Sequence, residues 1–344
     1  MNFKRNFLLS FIITLACLRG FGQDHLYSQF FNSPVYLNPA LNGQFEGDFR
    51  MNLIYRNQYT SSGDNSNYLS ASIDYNVPKF GGGFGLLFSR SSEGNAFLNT
   101  NSVSGIYSYS VGSEDYVLSF GLEAGAANRS IDFSRLVFDD QLDSQLGIIP
   151  GSVSSADALP FNSKFYFDAG FGVNLVVGDF MMGGALQHLN GPNTSFTGIP
   201  AKLPVRSTGY LTYRYDLNAD DNIDDDQKSF VIPSVVYYKQ ASAQSMSAGV
   251  EYKHRSVSAG LWYRSGGSQG PSSVVLSLVF DLFINRETGE KFRLGASHDV
   301  PVSGINYGTT SGSTEASVDY ETINPNRDNG YPRFPGARRC YDFY

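Results

Sequence analysis

Between Ser273 and Asn285 every second residue is apolar (Val274, Leu276, Leu278, Phe280, Leu282 and Ile284), while Ser273, Ser277, Asp281 and Asn285 fall between them. The same period runs from Phe165 to Val177, where Phe165, Phe167, Ala169, Phe171, Val173, Leu175 and Val177 oppose Asp168, Gly170, Gly172 and Asn174. It recurs with Val205, Leu211, Tyr213 and Tyr215 against Arg206, Thr208, Thr212 and Arg214, and with Phe49, Met51, Leu53 and Tyr55 against Arg50, Asn52 and Arg56. Successive side chains of a strand point to opposite faces, so this alternation means strands with one apolar and one polar face. Helical three-to-four spacing is nowhere sustained, and the chain is expected to be all-β.

Segments of this kind start near Asp48, Tyr68, Gly83, Ser102, Tyr116, Lys164, Asp179, Val205, Ser229, Ser245, Ser256, Ser272, Lys291 and Ser313, which makes fourteen. The second, fourth, sixth, tenth and twelfth connections are short, at Pro78, Gly112-Ser113, Gly178-Asp179, His254-Arg255 and Arg286 to Glu290. The fifth, about Ile131 to Ser163, and the seventh, about Leu189 to Pro204, are long. Outer-membrane barrels alternate short periplasmic turns with longer outer loops; an acidic eighth connection, Asp216 to Lys228, is the exception here. The expected fold is a single transmembrane antiparallel β-barrel of about fourteen strands over residues 48–322. An N-terminal lead-in or plug segment, 23–47, precedes it, a periplasmic tail, 323–344, follows, and both ends of the chain face the periplasm.

A soluble two-sheet sandwich also alternates, but its polar face meets water and is rich in Lys and Glu. Here that face carries Ser, Gly, Asn and charges such as Arg50, Asp74, Glu123, Asp168, Glu251 and Arg264, which suits a crowded lumen. Tyr107, Tyr109, Tyr213, Tyr215, Tyr237 and Tyr238 recur toward strand ends, as in aromatic girdles. Gly121, Gly170, Gly172 and Gly260 read as relief for the curvature of a closed sheet.

Residues 1–22 have the form of an export signal: Lys4 and Arg5, an apolar run from Phe7 to Leu18, then Gly20-Phe21-Gly22, with cleavage expected after Gly22. The twelve-residue run is short for a membrane anchor, which needs roughly 20 residues. Cys17 admits a lipoprotein reading, for which Thr14-Leu15-Ala16 is a poor context. Without this segment the chain holds 22 basic against 32 acidic residues and one cysteine, Cys340. An acidic chain with no basic stripe repels phosphate backbones, so nucleic acid is not an expected partner, and a lone thiol cannot form an internal disulfide.

One stretch, Gln23 to Gly43, is neither signal nor strand. Its Ser28-Gln29, its Tyr36-Leu37-Asn38-Pro39-Ala40 and its Gly43 resemble the start of the mature PorP/SprF family, outer-membrane proteins of type IX secretion and gliding in Bacteroidetes-type bacteria. Members commonly end near a Cys-Pro-Arg-Phe tail; this chain instead carries Pro332-Arg333-Phe334-Pro335 and then Cys340-Tyr341-Asp342-Phe343-Tyr344. The resemblance implies a non-enzymatic component of the cell outer membrane that helps export or anchor a secreted surface adhesin. It implies as partners the adhesin's C-terminal domain, periplasmic secretion or gliding components and outer-membrane lipid, with Tyr36, Leu37, Asn38, Pro39, Ala40 and Gly43 as candidate partner-binding residues. Asn38-Pro39 favours extended or turn backbone. The segment is expected either to lie in or beneath the barrel as a plug or to be an ordinary lead-in to the first strand.

The sharpest local motif is Asp216 to Gln227, which sets Asp216, Asn218, Asp220, Asn222 and Asp224 at alternate positions, as in an EF-hand calcium loop. Asp221 stands where that loop needs glycine and Gln227 where it needs a bidentate glutamate. Calcium is therefore weighed against a solvated acidic turn. His25, His188, His254 and His298 have no zinc-motif spacing, and no nucleophile elbow, Walker loop or dinucleotide fingerprint occurs. The alternative to a secretion component is a diffusion channel or uptake porin, since fourteen strands can enclose a water-filled lumen.

Overall fold

The computed structural model describes residues 24–45, 47–59, 65–77, 80–94, 98–132, 136–143, 145, 147–155, 162–196, 199–218, 228–266, 271–285, 290–304, 306–322 and 338–344. The expected signal peptide and the turns at Pro78 and Arg286 fall outside them. Fourteen long strands form the wall: β1 (Phe49–Gln58), β2 (Ser66–Val77), β3 (Gly82–Glu93), β4 (Leu98–Gly112), β5 (Tyr116–Ile131), β6 (Ser163–Val177), β7 (Phe180–Gln187), β8 (Arg206–Tyr213), β9 (Ser229–Gln240), β10 (Ala243–His254), β11 (Val257–Ser265), β12 (Ser272–Asn285), β13 (Glu290–Ser303) and β14 (Ser313–Thr322). Each begins within four residues of its expected start. The largest gap is at β4, which begins at Leu98 rather than Ser102.

Every strand pairs antiparallel with the next, and β1 closes the sheet on β14 from Phe49 opposite Thr322 to Gln58 opposite Ser313. Closure leaves no edge in lipid, where an unpaired amide or carbonyl costs several kcal/mol. Burial is inverted relative to a water-soluble protein. Leu276 and Leu282 are more than half exposed on the outside, whereas Arg50, Asp74 and Glu315 are at most 2% exposed within. The alternation seen in the sequence thus separates a lipid-facing belt from a lumen, and no helix among the described residues is long and apolar enough to cross a membrane.

Strand parity puts Phe49 and Thr322 at one end of the barrel with the even-numbered connections, and the odd-numbered connections at the other end. Two expectations change. The ninth connection is only Ala241 and Ser242, a tight turn among the longer loops, and the third, 94–97, is no longer than the second, 78–81, so the length alternation has further exceptions. The chain ahead of the barrel does not stay at the end where the barrel begins: Asp24 lies against His188, Arg206 and Gln240, at the odd-connection end.

Candidate functional site: the filled lumen

Residues 24–45 descend through the lumen from the odd-connection end to the foot of β1. They are made of two 3-10 turns, Phe30–Asn32 and Pro39–Leu41, around one turn of α-helix, Pro34–Leu37. Proline sits at the first position of the last two, where its missing amide costs nothing and its fixed φ suits the turn. Asn38 caps the final turn, its Oδ1 accepting the Ala40 amide at 2.9 Å. From Tyr27 to Phe45 the segment is buried.

Charge holds the upper half. Asp299 of β13 accepts the Ser28 hydroxyl at 2.6 Å, Arg56 at 2.9 Å and Arg264 at 3.0 Å. Glu315 of β14 accepts the main-chain amides of Ser28 and Gln29 at 2.6 and 2.9 Å and pairs with Arg56. Two cations and two anions, all nearly buried, thus satisfy one another and the segment's backbone, which is the condition under which buried charges are tolerated. Below them Phe30 meets Trp262 edge-on at 4.8 Å.

Close approach holds the lower half. A Cβ on Gly121 would overlap the Pro39 carbonyl, and one on Gly172 would overlap the Asn38 amide, so these two lumen-facing positions must lack side chains for the segment to seat. Their role is therefore contact with the plug rather than relief of sheet curvature. Asn38 Nδ2 reaches the carbonyls of Val173 and Gly184 at 3.0 and 3.3 Å and the Tyr210 hydroxyl at 3.0 Å. Gly43 donates its amide to Asp74 at 2.8 Å, and Arg50 pairs with the same carboxylate at 2.7 Å. Back toward the odd-connection end, Arg206 donates to the Tyr36 hydroxyl at 2.8 Å and lies over its ring.

The other end is closed by residues 338–344, expected as part of a periplasmic tail. Cys340 is fully buried beside Asn174, Phe31 stacks on Tyr344 at 5.5 Å, and Lys253 donates to the Tyr344 main-chain oxygen at 3.1 Å. Burial pushes the Cys340 thiol up to about 12, so it is uncharged and unreactive.

Above the plug a vestibule of about 330 Å³ opens at the odd-connection end, lined among others by Asp24, His25, Arg56, Tyr68, Arg206 and Arg264. His188 bridges Asp168 at 2.7 Å and Asp24 at 2.6 Å. Burial alone would lower its pKa, but Asp24 and the two carboxylate hydrogen bonds outweigh it and hold the ring protonated, with its pKa up at about 10. Burial likewise opposes ionisation of Asp24, yet His188 and Arg206 keep its carboxyl well below the usual range. His25, stacked on Tyr68 at 4.2 Å, goes the other way: burial, with Arg206 and Arg56 nearby, takes it down to about 3 against the pull of Asp24.

The candidate partner-binding residues Tyr36, Leu37, Asn38, Pro39, Ala40 and Gly43 all lie in the lumen, the first five buried against the wall. Of the proposed calcium set, Asp216 and Asn218 are described: Asp216 Oδ1 accepts the Asn218 amide at 2.9 Å and Asn218 Oδ1 accepts the Ser229 amide at 2.7 Å. Asp220, Asn222, Asp224 and Gln227 lie outside the described residues, among which no cluster of three metal-binding side chains occurs. The residues that sequence reasoning left unpaired are Arg56, Arg264, Asp299 and Glu315. Arg56 and Arg264 stood out only as charges on a polar face, and Asp299 and Glu315 carried no signal that singled them out.

No curated protein matches the chain. Among solved structures it is similar to the outer membrane protein Omp33 of Acinetobacter baumannii (7% identity, 80% of this chain and 98% of that one, TM-score 0.38). It is also similar to the CymD monoaromatic hydrocarbon channel (12% identity, 86% and 94%, TM-score 0.45) and to a BamA from Haemophilus ducreyi (9% identity, 80% and 70%, TM-score 0.38). The family model of the type IX secretion system membrane protein PorP/SprF matches residues 20–320, and the chain, an outer-membrane β-barrel, belongs to that family.

Proposed function

We propose that this protein acts in type IX secretion as a non-enzymatic binding component. It holds a secreted client, an adhesin engaged through its C-terminal domain, on the odd-numbered loops, and periplasmic secretion or gliding components on the even-numbered turns. By the rule that periplasmic turns are short, the vestibule and the long fifth and seventh connections face outward. The observation that carries this reading over a diffusion channel is the doubly filled lumen: residues 24–45 from one end and 338–344 from the other, with Ser28, Gln29, Asn38, Gly43 and Cys340 hydrogen-bonded to the wall. An open, water-filled diffusion pore does not carry such a fill, whereas a docking platform gains rigidity from it.

The test is purification of the tagged protein from native outer membranes with identification of what stays bound, beside single-channel recording of the purified barrel. A large secreted protein retained through its C-terminal domain, with no conductance from the barrel, is the expected result. A solitary barrel that conducts steadily would give preference to the channel.

A further inference from the structure

The vestibule offers more hydrogen-bonding capacity than the protein itself uses. Its buried charges are already answered: Arg56 by Asp299 and Glu315, Arg264 by Asp299, and Asp24 by His188 and Arg206. Lys239, the other cation of the lining, is exposed, at an odd position on the outward side of β9. Gln240 is taken as well, accepting the Asp24 amide at 2.7 Å and donating to the Pro204 carbonyl at 3.3 Å.

What remains is neutral. Tyr238 of β9, Ser273 of β12 and Ser313 of β14 line the same cavity, all at least nine-tenths buried, and among the described residues none of their hydroxyls has a hydrogen-bond partner. Gln58, at the end of β1, adds a side-chain amide that is likewise unpaired among them. In the floor, His25 is uncharged and its Nε2 has no partner. Buried polar groups are as a rule hydrogen-bonded. Unmatched ones converging on one cavity from four strands mark where the polar groups of a ligand belong.

The plug closes the cavity below, so an occupant enters by its end from the odd-connection side. A peptide end brings an ammonium or a carboxylate, and neither finds an unpaired counter-charge in the buried lining. A phosphate or an acidic sugar meets the same obstacle. The end of a neutral sugar chain brings only hydroxyls, which donate and accept as those of Tyr238, Ser273 and Ser313 do. At about 330 Å³ the cavity stands at the small end of ligand pockets, room for roughly one or two sugar units.

We propose that the vestibule is a carbohydrate site that takes the terminal one or two units of a neutral glycan, with the Tyr238 hydroxyl among the groups that read it. That this glycan is met at the cell surface rests on the proposed function; the binding itself does not.

The test is saturation-transfer NMR of the full-length protein in LDAO micelles, a detergent without a sugar headgroup. The probes are maltose, cellobiose, lactose, mannobiose and chitobiose at millimolar concentration, beside glucuronate and acetyl-trialanine amide. At least one neutral disaccharide should receive saturation, and Tyr238→Phe should weaken its binding about tenfold, the loss of one hydrogen bond. Because the hydroxyl makes no bond within the protein, Trp262 emission should stay native in this variant, which separates lost binding from a displaced plug. No transfer to any of the five, equal binding by wild type and Tyr238→Phe, or stronger transfer to glucuronate or the blocked peptide overturns the proposal. Two sources present this chemistry at a cell surface, and competition against the bound disaccharide tells them apart. Displacement by delipidated surface polysaccharide assigns the site to glycans of the outer leaflet, displacement by protease-released glycopeptides of the secreted proteins assigns it to sugars on the client, and displacement by neither overturns the surface role while leaving the disaccharide result in place.

Discussion

The two halves of the plug meet the wall by different physics. Ser28 and Gln29 are held by a charge quartet, Arg56, Arg264, Asp299 and Glu315, all on strands near the closure of the sheet, where long side chains reach in to the segment. Asn38 to Ala40 lie directly on the backbone of β5, β6 and β7, where glycine lets the segment come to the wall. A buried ion network tolerates small displacements but not loss of a member. A steric seat tolerates loss of a hydrogen bond but not an added methyl group. The two halves should therefore fail under opposite substitutions.

The largest effect is expected from Gly121→Val. Its side chain would occupy the position of the Pro39 carbonyl, and backbone cannot move aside as a flexible side chain can. The lower half of the plug should be displaced in nearly every molecule, giving steady single-channel conductance where the wild type is closed. A closed Gly121→Val barrel would mean that the lower seat does not seal the lumen.

Arg56→Met tests the upper half. It leaves Asp299 and Glu315, both at most 3% exposed, without their shared cation. Breaking such a buried pair costs about 3–5 kcal/mol. Trp262, the sole tryptophan of the chain, packs on Phe30 and reports docking of this half directly. Its emission should shift red at much lower urea than in the wild type, while Gly121→Val should leave the upper half, and hence this emission, closer to native. The same urea midpoint in Arg56→Met and wild type would remove the distinction between the halves. Asn38→Ala is milder: it deletes buried hydrogen bonds and should weaken docking by about 1–3 kcal/mol, with no conductance of the Gly121→Val kind.

The contrast also explains what could be read in the sequence. Strands announce themselves locally, since a two-residue period needs no partner to be recognised, and the starts of all fourteen follow from it. Which side is wet also follows, because Ser, Gly and Asn with scattered charges are the wrong surface for water and the right one for a filled lumen. The plug's course does not follow. Segments as short and irregular as Phe30–Leu41 have no period, and the partners of Ser28 lie 271 and 287 positions away. The signal that was present and pointed elsewhere is Gly121 and Gly172: directly paired across β5 and β6, both on the polar face, they mark one spot on the wall where something must come close. Read singly they suggest curvature; read as a pair they locate the seat of Asn38-Pro39. Nothing local marks Cys340 to Tyr344 as a second stopper.

The smallest effect concerns the plug's upper tip, where charge again decides but the groups titrate. His188 is protonated in the folded state up to about pH 10, above its ordinary 6.5, so its hold on Asp24 is complete below pH 6.5 and fades as pH rises through about 10. Asp24, held below its ordinary 3.8, contributes at any pH above that value and is lost only in stronger acid. His25 has the reverse sign: released, it takes a proton near 6.5, but stacked on Tyr68 it resists until about 3, so acidification from 6.5 toward 3 favours release. The tip should be held most firmly near pH 6.5 and loosen on both sides. A spin label at Leu26→Cys would show this as a mobility minimum, with the alkaline arm removed by His188→Gln and the acid arm by His25→Gln. Trp262 emission, which reads the ion quartet below, should stay constant over the same range. An alkaline arm that survives His188→Gln would assign the loosening to other groups and detach the tip from the charge-held half of the plug.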